Sequence, residues 1–167
     1  RQAVQLIRDN LLEAYEHGDD MRARRNMLSA AYKAGVAFTR SYVGYVHAIA
    51  HSLGGRYGIP HGLANAIILP VVMEYNAPYT GEKYREIARA MGVEGVDAMT
   101  QEEYRKAACD AVRKLGQDVG IPADLKAIVK DEDVQFLAES AFADACRPGN
   151  PRDTSVEEIA ALYRSMM

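Results

Sequence analysis

Apolar residues recur three and four positions apart along this chain and nowhere alternate with polar ones over a useful length, so the pattern predicts helices and no sheet. Val4, Ile7, Leu11 and Ala14 predict a helix over 2–16. His17 and Gly18 should end it, with Gly18 placed for a left-handed cap. Asp19 or Asp20 can then cap a second helix, which runs through Met27, Ala30, Ala31 and Ala34 to about residue 38. A third helix is expected over roughly 43–53, loosened at Gly54-Gly55, with a turn over 58–62. Residues 63–76 are apolar on nearly every side and read as a buried helix kinked at Pro70, a buried strand being the alternative. Further helices are expected over 81–91, from Thr100 (with Glu103 completing a capping box) to residue 115 or 119, and over 131–145. Gly120-Ile121-Pro122 and residues 147–151 are breaks, and Thr154 with Glu157 should cap a last helix. The expectation is one all-α domain over residues 1–167, a bundle-like packing of seven to nine helices.

Composition narrows the function classes. The chain has 167 residues, 49% hydrophobic and 26% charged, with a formal net charge of −3 from 20 basic and 23 acidic side chains. Nothing there favours nucleic acid, and Arg22, Arg24 and Arg25 read as a solvated helix face. Cys109 and Cys146 have no CxxC or Cys-His spacing, which argues against a disulfide scaffold or a zinc knuckle and fits a reducing cytoplasm. The longest apolar run, residues 66–73, is too short to cross a bilayer. The chain opens without a methionine, already in a helical pattern, as a piece of a longer protein would.

Three of the four histidines lie close together in sequence, at 47, 51 and 61. On a helix, Val46, Ile49, Ala50 and Leu53 form an apolar stripe, while Gly44, His47, His51 and Gly54 or Gly55 fall on another. Glycine inside a helix costs about 1 kcal/mol relative to alanine. Two glycines bracketing two histidines therefore suggest space left for a close approach. The bland alternative is hydrogen-bonded core histidines with glycines that permit tight packing. Histidines at i and i+4 can share a metal ion, but Ala48 stands where a zincin helix needs its glutamate. His61 can fold back as a third ligand or as a proton-handling group, and spacing alone does not decide. Asn65 reads as a helix cap or as a hydrogen-bonding group near the site.

The series Gly44-x-x-His47-x-x-Ala50-His51-x-Leu53-Gly54-Gly55-x-x-x-Ile59-Pro60-His61-Gly62-x-Ala64-Asn65 resembles the second signature of the iron-containing (group III) alcohol dehydrogenases. The segments Asp118-Val119-Gly120-Ile121-Pro122 and Asn150-Pro151-Arg152-Asp153-Thr154, with Glu157-Glu158-Ile159 and Leu162-Tyr163 beyond, also resemble that family, so the likeness covers essentially the whole chain. It implies the helical, dehydroquinate-synthase-like C-terminal domain of a two-domain enzyme whose other, N-terminal domain binds NAD or NADP. It implies a metal, iron(II) or in some relatives zinc, held by an aspartate and a histidine of an upstream Asp-x-x-x-His helix together with His47 and His61. His51 would lie beside the nicotinamide and substrate as the catalytic proton-relay or orienting group, and Gly54 and Gly55 would let cofactor or substrate approach. Cys146 matches a position that lies near the substrate cavity in some relatives.

The implied activity is reversible hydride transfer between a primary or small alcohol or aldehyde and NAD(P), in a cytoplasmic homo-oligomer. A zinc-dependent relative, glycerol-dehydrogenase-like or dehydroquinate-synthase-like, and an inert helical domain are the alternatives. No Asp-x-x-x-His and no Gly-rich phosphate loop occur in this sequence, so the chain alone is expected to bind metal weakly and to lack dehydrogenase activity. Tyr42 stands where a smaller residue is expected, which bears on pocket shape.

Overall fold

The computed structural model describes residues 1–167, and every long element in it is helical. In chain order these are α1 (Gln2–Glu16), α2 (Met21–Ser41), α3 (Tyr45–Tyr57), α4 (His61–Asn76), α5 (Lys83–Ala90), α6 (Gln101–Asp118), α7 (Val134–Phe142) and α8 (Val156–Ser165). Short 3-10 turns occupy Ala77–Tyr79, Val96–Ala98, Asp131–Asp133 and Arg147–Gly149, and there is no strand, as the periodicity predicts. None of the helices is long and apolar enough to cross a membrane. The helices form two compact units, one of Arg1–Ser41 with Thr80–Gly120, the other of Tyr42–Tyr79 with Ile121–Met167.

The first unit pairs α1 with α2 and α5 with α6. Ala23 and Ala30 of α2 are fully buried and let the α1 backbone come close. The buried Asn10 donates to the Leu6 carbonyl at 2.8 Å and accepts from the Asn26 amide at 2.8 Å, so its polar atoms are matched. Asp20 is the cap of α2, accepting from the backbone N–H groups of Arg22 and Ala23. Gly18 takes no left-handed conformation. The His17 carbonyl accepts from the Asp20 N–H, and that tight turn leads straight into the next cap. Thr100 and Glu103 form the expected capping box at α6.

The second unit carries the histidines. Its core joins Tyr45, Ile49 and Leu53 of α3, Ile67, Ile68 and Val72 of α4, Leu137 and Ala141 of α7, and Ile159 and Tyr163 of α8. Ile49 and Leu53 are 0% exposed, and burying each contributes about 1.5–3 kcal/mol. The α3 backbone is thereby fixed by its apolar face, and the opposite face need not pack. Tyr163 adds a polar lock, its hydroxyl 2.5 Å from Ser52 Oγ and donating to the Ile49 carbonyl at 3.2 Å. Burial raises the Tyr163 pKa, so the phenol stays a neutral donor.

Local differences from the sequence reading have physical causes. α3 does not loosen at Gly54-Gly55 but runs to Tyr57 and ends at Gly58 in the left-handed region, φ +67°. α4 starts at His61, so the turn is only residues 58–60, and the helix continues through Pro70. α7 stops at Phe142, preceded by a 3-10 turn. α8 is capped by Ser155 with Glu158, one residue on from the expected pair, and the Thr154 hydroxyl instead accepts from Tyr75 at 2.6 Å and donates to Glu158 at 3.0 Å. Gly44 is the cap residue of α3 at φ +72°, and a Cβ there would meet Asn150 Cα at 3.2 Å. It serves the backbone turn rather than an open histidine face.

Gly44→Ala should therefore lower stability by about 1–3 kcal/mol, through the left-handed φ and the Asn150 contact. Gly55→Ala, in a helix with nothing near the added Cβ, should raise it by up to about 1 kcal/mol. Denaturant midpoints of the two variants check both signs, and equal shifts would contradict the assignment. A second expectation concerns acid. Asp133 is buried, and hydrogen bonds from Arg56 (2.7 Å) and Tyr57 (2.6 Å) hold its carboxyl below the usual range. A depressed carboxylate pKa contributes stability that is present above the unfolded value, roughly 3.9, and lost as pH falls through the folded value. Asp133→Asn should flatten the acid limb of a stability–pH profile below about pH 5; an unchanged limb would assign the acid sensitivity elsewhere.

Candidate metal centre

α3 and α4 meet at a tight corner, and the corner sets the histidines. His47 lies in the first turn of α3 and His61 is the first residue of α4. One helical turn on from His47, His51 shares its face. The three rings converge, with centroids 5.2 Å apart for His47 and His61, 5.4 Å for His51 and His61, and 6.0 Å for His47 and His51. The three residues singled out in the sequence thus form one cluster, His61 stacked on His51 at an interplanar angle of 20°.

Their environments differ. His47 Nδ1 is buried and has no hydrogen-bond partner. Burial, then the neighbouring His61 and His51, pull the His47 pKa below the usual histidine value. Such a neutral imidazole with an unmatched buried nitrogen is a poor resident of an apolar core and a good metal ligand. The side-chain amide of Asn65 donates to His61 Nε2 at 2.9 Å and to the His61 carbonyl at 3.0 Å. Asn65 is therefore not a helix cap: it sits inside α4, where it orients the His61 ring. Of the three, His51 lines a cleft of about 490 Å³ together with Ser52, Gly55, Arg56, Phe136, Ser140 and Asp144.

Gly55 faces open space, whereas a Cβ at Gly54 would make ordinary contact with the Ile59 carbonyl at 3.6 Å. Tyr42 is 72% exposed and does not line the cleft beside His51. Cys146 is partly buried, and its ligating atom lies within 4.8 Å of those of His51 and Asp144. Asp144 is the site residue that sequence reasoning missed. Its Oδ2 is 2.9 Å from His51 Nδ1, and its Oδ1 accepts from the Cys146 N–H at 2.7 Å. Burial works to raise the Asp144 pKa, but the hydrogen bonds from Cys146 and His51 outweigh it and hold the carboxyl below its ordinary value. The Cys146 thiol is pushed up by burial and by the adjacent carboxylate.

A model of the "Fe-containing alcohol dehydrogenase family, C-terminal" matches residues 1–167. The chain belongs to this family. It is 50% identical over 147 residues to lactaldehyde reductase of Escherichia coli (strain K12), covering 87% of this chain and 38% of that enzyme. It is 42% identical over 164 residues to 1,3-propanediol dehydrogenase of Klebsiella pneumoniae, covering 98% of this chain and 42% of that one. An alcohol dehydrogenase from Oenococcus oeni superposes with a TM-score of 0.95 at 38% identity, over 99% of this chain and 43% of the solved one. The chain thus spans 38–42% of the length of these curated relatives. The family model is of the C-terminal region, and the all-helical architecture agrees with it.

The raised Cys146 pKa has a measurable consequence. Alkylation of Cys146 at neutral pH should be slower than that of an unperturbed thiol, and Asp144→Asn should speed it by removing the carboxylate charge. Cys109 is buried and should stay silent. Mass-spectrometric labelling rates across pH test this; a Cys146 that reacts faster than free cysteine would refute the electrostatic picture.

Proposed function

We propose that this chain is the metal-holding C-terminal part of an NAD(P)-dependent, iron-containing alcohol dehydrogenase that interconverts small alcohols and aldehydes. The observation that carries the reading is the convergence of three imidazoles at one corner, with a buried His47 nitrogen left unmatched. His47 and His61 are proposed as metal ligands, completed by side chains outside these 167 residues. The donor chemistry fits: neutral imidazole nitrogen suits iron(II) and zinc alike, so metal identity depends partly on supply. Asn65 holds the His61 ring in place and shares its Nε2, so it would give up that hydrogen bond if His61 bound a metal through this nitrogen.

When bound, the metal would supply Lewis acidity that eases ionisation of an alcohol hydroxyl. The chain's own side chains do the rest. His51, open to the cleft, takes or returns the proton at its ring. Gly54-Gly55, with Gly55 facing open space, leaves room for cofactor or substrate beside α3. Cys146 borders the substrate side of the same cluster. The oxidoreductase names of the relatives favour this reading over a lyase of similar architecture. A cytoplasmic setting belongs to the same proposal: Cys109 and Cys146 form no disulfide, which suits a reducing compartment.

In the complete protein, His47→Ala and His61→Ala should each lose bound metal and activity together. His51→Ala should keep its metal and lose turnover, by about 10²–10⁴-fold if it handles the proton. Metal content by elemental analysis beside NAD(P)-linked alcohol oxidation separates the roles. If His51→Ala strips the metal as fully as His61→Ala does, the roles are misassigned.

A further inference from the structure

The contact between His51 and Asp144 joins residues 93 positions apart, and it does more than close a turn. The Asp144 side chain is 18% exposed, and both its oxygens are engaged. Oδ1 accepts from the Cys146 backbone N–H at 2.7 Å, which fixes the rotation of the carboxylate. That leaves Oδ2 aimed at His51 Nδ1 at 2.9 Å. An ionised carboxylate is acceptor-only, and a neutral imidazole carries one ring proton. In the neutral ring, this geometry puts the proton on Nδ1 and leaves the lone pair on Nε2, across the ring from Asp144.

We infer that Asp144 is a positioning residue for His51, holding the ring as the Nδ1–H tautomer so that Nε2 is its proton-accepting atom. The inference rests on the proposal above that His51 handles a proton, and it names the atom through which it does so. His51 needs such an anchor, because its ring is on the solvated face of α3 and Asp144 is the charged group bonded to it. Without it, Nδ1–H and Nε2–H forms would interchange, and in one of them the open nitrogen is a donor instead of an acceptor. The orientation is also sterically backed by the His61 ring stacked against His51.

A purely structural role predicts otherwise. If Asp144 only closed the turn after α7, Asp144→Asn would be nearly silent, since a carboxamide oxygen can still accept from the Cys146 N–H. The amide would, however, present an N–H to His51 Nδ1 and force the proton to Nε2. The test uses the complete protein, zinc-loaded and labelled with ¹⁵N-histidine, at a pH where the ring is neutral. His51 is assigned by the signals lost in His51→Gln, and long-range ¹H–¹⁵N spectra report the tautomer. The expected result is Nδ1–H in the unsubstituted protein and Nε2–H in Asp144→Asn. Turnover should fall by about 10²-fold or more, with metal content unchanged and KM little altered. Asp144→Ser, which can cap the turn but is too short for His51, should give a mixture of tautomers and provides the same reading if the amide variant folds poorly. Retention of the Nδ1–H form in either variant would overturn the inference. Full turnover in His51→Ala would instead sink the proton-handling reading, while the tautomer result would still decide the role of Asp144.

Discussion

The side chain of Asn150 ties together the pieces that make the histidine corner. Its oxygen accepts from the Tyr45 N–H at the start of α3 (3.3 Å) and from the Asn76 amide at the end of α4 (2.9 Å). Its nitrogen donates to Asn76 Oδ1 at 2.8 Å and to the Arg152 carbonyl at 2.7 Å. One carboxamide thus fixes where α3 begins, where α4 ends and how the 147–153 loop runs. Each bond is worth about 0.5–1.5 kcal/mol net, but losing the hub would leave several groups unmatched at once, which costs more. Arg152 reinforces the knot, stacked 3.8 Å over the Tyr75 ring and bonded to the Tyr75 carbonyl and to Glu158.

The division of labour on α3 follows from that anchoring. Tyr45, Ala48, Ile49 and Leu53 are taken up by the core, which leaves His47, His51 and Gly55 outside that apolar face. The polar lock of Tyr163 on Ser52 and the Ile49 carbonyl holds the same helix at its middle. A site that must keep three rings near one another gains from a helix pinned at its start, its middle and its left-handed end at Gly58.

Much of this was legible in the sequence, because the signals were local. The helix over 2–16, the capping box at Thr100 and Glu103, and the clustering of His47, His51 and His61 depend on residues within a few turns of each other. The misreadings share a cause. Thr154-x-x-Glu157 and Ser155-x-x-Glu158 are equivalent as patterns, and the contact of Thr154 with Tyr75, far away in sequence, is invisible to both. Gly44 looked like space beside the histidines, but its φ and the approach of Asn150 explain it. Of the two readings open for Asn65, the hydrogen bond to the His61 ring one turn earlier selects the group near the site over the cap. Asp144 had no motif at all: its partner is brought to it only by the packing of α7 on α3.

The corner is interlocked a second time, by glycine. Gly149 lies so close to Tyr42 that a Cβ would stand 2.6 Å from the Tyr42 Cβ, just as Gly44 lies against Asn150. Tyr42 itself holds φ +60°, an uncommon angle for a bulky residue. The two loops therefore behave as lock and key cut from one chain, and neither can be recut alone. Single replacements on either side pass through a destabilised intermediate, so descendants of this sequence can remodel the corner only through paired changes. Sequence variation will accumulate more readily along the open cleft beside His51 than at the hinge that supports it.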